Sequence, residues 1–168
     1  MEISRTFDFL KFQLNNCPQK EAFGSKKDEA WSFYSIDEIS TLSQQLAMGI
    51  YDLGVRKGDR IGMISYKNIA EWVILDMALA QIGAISVPVY PTISSREYAY
   101  IFGESEIAFC FVGEGDLYEK VDAVKAEVAS IKEIYCFQEN GKGKFWKTLL
   151  KPVDNSLLSK LDNEISKD

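Results

Sequence analysis

The chain predicts an α/β fold: a three-layer sandwich in which a mostly parallel sheet of at least four strands is flanked by helices. Three observations carry this. Runs at 60–65, 84–89, 107–112 and 133–137 are short, β-branched or aromatic, and apolar on both faces. That is the pattern of parallel strands covered on both sides. They alternate with helix-length segments, and such alternation implies crossover connections in one parallel sheet. The helix starts also share a code. Ser35 with Glu38, Asn68 with Glu71 and Ser94 with Glu97 each fit a capping box, in which two free backbone N–H groups find side-chain acceptors. Each start is answered by a glycine, at 54, 83 and 103, suited to a left-handed helix end.

In chain order, Phe7, Leu10 and Leu14 repeat at helical spacing, with Phe9 and Phe12 widening the face, so a first helix should end near Asn15–Asn16, before Pro18. Lys26 to Glu29 is a polar turn, and Trp31–Tyr34 a short extra strand. Ile36, Ile39, Leu42, Leu46, Ile50 and Leu53 mark one face of a long helix. Leu117, Val121, Val124, Val128 and Ile131 do the same for a helix over 116–130. After Gln138 the character changes. Residues 139–144 form a polar turn, and Leu157, Leu158, Leu161 and Ile165 one amphipathic helix. The expected organisation is therefore an α/β subdomain at 1–137 and a polar turn with an amphipathic helix at 138–168.

Composition narrows the function. A chain of 168 residues, 46% apolar and 12% aromatic, is long enough for a real core. Its formal charge of −6, without a basic stripe, argues against nucleic acid as a partner. Histidine is absent, which removes His-based general bases, triads and metal ligation. No metal-binding residues are expected. Cys17, Cys110 and Cys136 are odd in number and widely spaced, with the last two inside apolar strand runs. They read as free thiols of a reducing, cytoplasmic compartment. No signal-peptide pattern opens the chain. The longest apolar candidate, 69–89, is broken by Glu71, Asp76, Gln81, Gly83 and Pro88, so no transmembrane span of about 20 residues is expected.

Few residues carry a chemical signal. Gly113-Glu114-Gly115 sits where a dinucleotide fingerprint would, but its third glycine position is Tyr118, leaving a strand-to-helix turn. Gly143-Lys144 imitates the end of a phosphate loop, but Gln138 and Phe145 occupy its flanking positions, so it reads as a turn. Asp52, Asp59, Asp76, Glu104 and Glu106 show no pairing suited to acid–base work and read as caps and surface. The loop Val87-Pro88-Val89-Tyr90-Pro91-Thr92 is different. Its two prolines fix a rigid strand exit, and loops at the carboxyl ends of parallel strands are where ligands gather. Arg96 follows in the first turn of a helix, where a cation opposes the helix dipole. A pair with Glu97 or Asp76, plain solvation, or a phosphate partner would each account for it.

Gly58-Asp59-Arg60-Ile61, Asn68 with Glu71-Trp72, and the segment Gly83 to Thr92 ending in Val-Pro-Val-Tyr-Pro-Thr together resemble the N-terminal part of the adenylate-forming enzymes, most closely the AMP-forming long-chain fatty acyl-CoA synthetases. Upstream, residues 31–39 are similar to that family's early Tyr-Ser element, and the resemblance runs over about residues 5–137. It implies an N-terminal fragment of a ligase that uses ATP, Mg²⁺ and CoA to convert a fatty acid into acyl-CoA, AMP and pyrophosphate. The family's nucleotide loop ending in Pro-Lys-Gly, its ribose-binding Asp and its catalytic Lys do not occur here. The resemblance therefore implies no catalytic residue in this chain, no activity alone and no cofactor bound to it. Its partners would be the remainder of the N-terminal domain and the C-terminal domain. Tyr90, Thr92 and Arg96 would face the groove that admits CoA, although the next strand-to-helix loop, Glu114-Gly115-Asp116, is acidic where some relatives carry an Arg for the CoA nucleotide. Peripheral membrane contact and a homo-oligomer stay open. So do an aryl-, amino- or short-chain acid as substrate, and a non-catalytic flavodoxin-like binding or dimerisation module.

Overall fold

A computed structural model of the chain describes residues 3–27, 29–139 and 142–165. In chain order the elements are α1 (Asp8–Asn16), β1 (Phe23–Lys27), β2 (Ala30–Tyr34), α2 (Ile36–Asp52), β3 (Arg60–Ile64), α3 (Ala70–Gln81) and β4 (Ile85–Pro88). There follow α4 (Ser95–Ser105), β5 (Phe109–Val112), α5 (Leu117–Lys125), β6 (Glu133–Cys136), β7 (Lys144–Phe145), a 3₁₀ turn (Trp146–Leu149) and α6 (Asn155–Glu164). They fall into two compact units. The first holds α1, β1, β2, α2, α3 and α6, and the second holds β3 to β7 with α4 and α5.

In the first unit α2 begins at the expected capping box. Ser35 Oγ accepts from the Glu38 amide at 3.1 Å, and the Glu38 carboxylate accepts from the Ser35 amide at 2.8 Å. Ile36, Ile39, Leu46 and Ile50 are buried along its face. Gly54 and Gly83, at φ +91° and +70°, follow α2 and α3 in the left-handed region that favours glycine. Asp8, buried at the start of α1, takes a bidentate grip from Arg5, whose Nη1 also donates to the Asp162 carbonyl of α6 at 2.6 Å. Asp154 caps α6 by accepting from the Ser156 and Leu157 amides.

Two expectations for this unit need correction. The start of α3 is not a capping box on Asn68. The backbone stays extended through Ile69 (φ −126°, ψ 151°), which becomes the N-cap with no side-chain bond. The Ala70 amide is instead met by Ser25 Oγ at 3.4 Å, and the Glu71 carboxylate accepts from the Tyr34 hydroxyl at 3.2 Å. A tertiary contact has replaced the local cap. Likewise Lys26 and Lys27 do not form a turn: they lie in β1, which pairs antiparallel with β2 from Phe23↔Tyr34 to Lys27↔Ala30. Gly-Ser-Lys-Lys has no apolar alternation to announce a strand. The Asp28 part of that expected turn lies outside the described residues.

The second unit meets the α/β expectation. Its sheet has five strands in the order β4-β3-β5-β6-β7, all neighbours parallel. Ile64, Cys110, Val112, Ile134 and Cys136 from the strands pack with Tyr98 and Phe102 of α4 and Leu117, Val121 and Val124 of α5 in one cluster. Each Ile, Val, Leu or Phe side chain among them contributes about 1.5–3 kcal/mol by leaving water. Both strand cysteines are buried, as expected, and burial pushes the Cys110 thiol far above its ordinary range, so that thiol stays inert.

Four details here differ from the sequence reading. β4 is an edge strand, with Ile85 47% exposed, and is not covered on both faces. Gly103 does not stop α4. The helix continues to Ser105, and Glu106 adopts the left-handed cap (φ 49°, ψ 40°). The position of helix end is set by packing: the Ile107 amide reaches back to the Phe102 carbonyl at 3.3 Å, and both side chains are fully buried. α5 closes at Lys125, five residues before the expected end, while Val128 and Ile131 stay buried in the following turns. Lys144 belongs to a fifth strand, with Tyr135↔Lys144 and Cys136↔Phe145 in register and Trp146 fully buried just beyond. A two-residue strand is too short to show a period. The Asn140–Gly141 part of the expected turn lies outside the described residues.

Candidate functional site

The candidate site is the carboxyl edge of the five-stranded sheet in the second unit. Parallel strands deliver three chain segments there: the turn after β3, the loop from β4 to α4, and the turn from β5 to α5. Val89 is the last residue of the middle segment held by the ladder, its amide donating to the Met63 carbonyl at 2.9 Å. Tyr90 then stands 80% exposed, and Thr92 is exposed after Pro91.

α4 opens beside them with the expected capping box. The Ser94 hydroxyl donates to the Glu97 carboxylate at 2.7 Å and the Ser94 amide donates to it at 2.8 Å, and these two bonds, the hydroxyl's first, hold that carboxyl below its ordinary range. Glu97 is thus committed to its cap. Arg96 is exposed and, among the described residues, makes no hydrogen bond or ion pair, so a pair with Glu97 does not form, while plain solvation and a phosphate partner both stay open. Tyr90, Thr92 and Arg96 therefore share one segment, but no hydrogen bond among the described residues joins their side chains to one another.

The neighbouring turns hold a network that the sequence reading missed. The Tyr66 hydroxyl, after β3, donates to Asp116 Oδ1 at 2.7 Å. Lys120 Nζ donates to the Tyr66 hydroxyl at 2.7 Å and to the Pro91 carbonyl at 3.1 Å, and lies 3.2 Å from Asp116 Oδ2. These contacts hold the Asp116 carboxyl below its usual range, the Tyr66 hydrogen bond first and Lys120 next, and raise Lys120. Lys67 forms an ion pair with Glu114 in the same way. Both acids of the Glu114-Gly115-Asp116 turn thus have a lysine partner, and the turn's charge is locally balanced. The one available signal was the i,i+4 spacing of Asp116 and Lys120.

Beneath the loop, the Tyr98 hydroxyl donates to the Tyr90 carbonyl at 3.1 Å, and burial pushes that phenol up to about 12. No group of three or more Cys, Asp or Glu side chains converges as a metal site among the described residues. In the first unit, the cleft beside Lys11 and Gln81 contains Asp162, whose charge is already matched by Arg5 and Lys11 at 3.2 and 2.9 Å.

Residues 10–161 match the family described as AMP-binding enzyme. Over 107 residues, the chain is 29% identical to the long-chain-fatty-acid–CoA ligase FadD15 of Mycobacterium bovis, covering 64% of this chain and 18% of that protein. Over 100 residues it is 32% identical to fatty acyl-CoA synthetase A of Dictyostelium discoideum, covering 60% of this chain and 14% of that protein. A solved structure from Rhodopseudomonas palustris, provisionally named a long-chain-fatty-acid CoA ligase, superposes with a TM-score of 0.76 at 25% identity, covering 89% of this chain and 37% of the other. The chain thus spans less than a fifth of the length of these two curated relatives.

Proposed function

This chain belongs to the AMP-binding enzyme family, and from that premise we propose that it is the N-terminal portion of a long-chain-fatty-acid–CoA ligase. The observation that carries the reading is the family match over residues 10–161 in a chain that aligns with only 18% of a named long-chain ligase. The whole enzyme would join a fatty acid to CoA with ATP, releasing AMP and pyrophosphate. Long-chain acids are favoured because the relatives matched over 60% or more of this chain carry fatty-acyl names.

In this reading residues 1–137 are an α/β subdomain, and 138–168 lead toward the nucleotide-binding region. ATP and Mg²⁺ are held by the remainder of the enzyme. Tyr90, Thr92 and Arg96 face CoA. Arg96 supports this, being an exposed cation with no partner among the described residues, at a helix start where backbone N–H groups also favour a phosphate. The balanced charges of Glu114 and Asp116 lessen the repulsion their turn would otherwise exert. No helix among the described residues is long and apolar enough to cross a membrane, and we assign the enzyme to the cytoplasm.

The reading frame beyond Asp168 tests the proposal. It should encode a Ser/Thr/Gly-rich loop ending in Pro-Lys-Gly and later a catalytic Lys; a stop codon there would instead favour a stand-alone binding or dimerisation module. The chain alone should show no fatty-acid-dependent exchange of pyrophosphate into ATP, and turnover well above a blank would contradict this assignment of the chemistry.

A further inference from the structure

In an open parallel sheet the natural crevice lies beyond the carboxyl ends of the two strands where the strand order reverses. Here the chain runs from β3 outward to β4 and then returns to β5 on the other side of β3, so the reversal falls between β3 and β5. That position is not open. Tyr66 leaves the end of β3 and lies over Gly115, where an added Cβ would sit 3.4 Å from its ring. Its hydroxyl crosses to Asp116, beyond β5, at 2.7 Å. Lys120, one turn into α5, bonds both Tyr66 and the Pro91 carbonyl. Three separate chain segments therefore meet on one ammonium group.

The Pro91 contact matters because the loop has little else to hold it. Pro88 and Pro91 donate no amide hydrogen bonds. The Tyr90 and Pro91 carbonyls are instead gripped in succession by side chains, Tyr98 from α4 and Lys120 from α5.

We propose that Tyr66, Asp116 and Lys120 are positioning residues: a clamp that closes the switch point of the sheet and fixes the Tyr90–Thr92 rim in one geometry. Asp116 orients the Tyr66 hydroxyl, and Tyr66 and Asp116 aim the Lys120 ammonium at Pro91. The clamp's use in function rests on the reading above, in which this rim meets CoA. Loop order is measured without any ligand, so the two ideas fail separately.

The test is backbone ¹⁵N relaxation on the 168-residue chain and three variants. In the unaltered protein the Tyr90, Thr92 and Ile93 amides should be rigid, with order parameters near about 0.85. Lys120→Met should lower them toward about 0.6 while the amides of α5 keep theirs, and Lys120→Arg, which keeps the charge and reach, should restore order. Tyr66→Phe, which keeps the ring and removes only the hydroxyl, should loosen the same amides and serves if Lys120→Met does not fold. Unchanged order at Tyr90, Thr92 and Ile93 in the variants would overturn the clamp, because the prolines alone would then set the loop. Equal loss of order along α5 would also overturn it, reducing the network to support of its own helix.

Discussion

Ser35 and Asn68 stand in the same sequence context, each followed three residues later by Glu, yet only Ser35 caps its helix. Ser35→Ala should therefore cost about 1 kcal/mol, whereas Asn68→Ala should change stability by less than about 0.5 kcal/mol. Urea unfolding of both variants measures the difference, and equal losses would mean that the extended Ile69 has been misread. Asp8 gives a pH prediction. The Arg5 hydrogen bond lowers its carboxyl from 3.8 to about 2, against the opposing effect of burial. A carboxyl lowered on folding stabilises the protein above its unfolded value and loses that contribution as pH falls through the folded one. Stability should thus decline between about pH 4 and pH 2 by about 2 kcal/mol from this group. Asp8→Asn should remove that part of the pH dependence and lower stability at neutral pH. These residue-scale features were unequally legible. Capping boxes are written within four residues, so Ser35 and Ser94 were readable. The Ser25 contact that starts α3 spans 45 residues and leaves no local trace.

At the scale of elements, long or strongly patterned segments were legible and short ones were not. α2 carries a repeated apolar face and a cap, and its limits agree with the sequence. β1 is polar and β7 has two residues, so neither shows a period of two, and both exist because a partner strand pairs with them. β4 was readable as a strand but not as an edge, since position in a sheet depends on strand order. Its ladder amides, Ile85 and Val89, point to β3, where they meet the Asp59 and Met63 carbonyls at 2.8 and 2.9 Å. Alternation then sends Ser86 and Pro88 outward, and Pro88 has no N–H to offer another strand. Proline on an exposed edge blunts edge-to-edge pairing. Pro88→Val should therefore raise self-association at equal concentration, read as mass by light scattering. A variant that scatters like the parent would show that the edge is protected by something other than Pro88.

For the molecule as a whole, the family was legible because Val87 to Thr92 combines two prolines with a strand exit and a capped helix, a dense local signature. The Tyr66–Asp116–Lys120 network was not legible, because it joins residues 50 and 54 positions apart that only the strand order brings together. Phe9, Trp31, Phe33, Ile85, Tyr90 and Tyr100 are large apolar side chains between 44% and 80% exposed. Surface of this kind should bind an apolar dye. Trp31 and Phe33, stacked at 6.0 Å on β2, should carry much of that signal, and Trp31→Ser with Phe33→Ser should reduce it. A dye response unchanged in the double variant would place the exposed patch elsewhere.

Contact between the Tyr90–Arg96 segment and CoA, as proposed above, is tested most directly by measuring the two half-reactions separately in the full-length enzyme that we propose contains this chain. Arg96→Ala should raise the apparent KM for CoA roughly ten- to hundredfold, as expected for loss of a charge-assisted hydrogen bond of about 1.5–3 kcal/mol. Formation of the acyl-adenylate, which needs no CoA, should be unchanged. An unaltered KM, or a fall in both half-reactions together, would contradict the account and leave Arg96 a solvated surface residue.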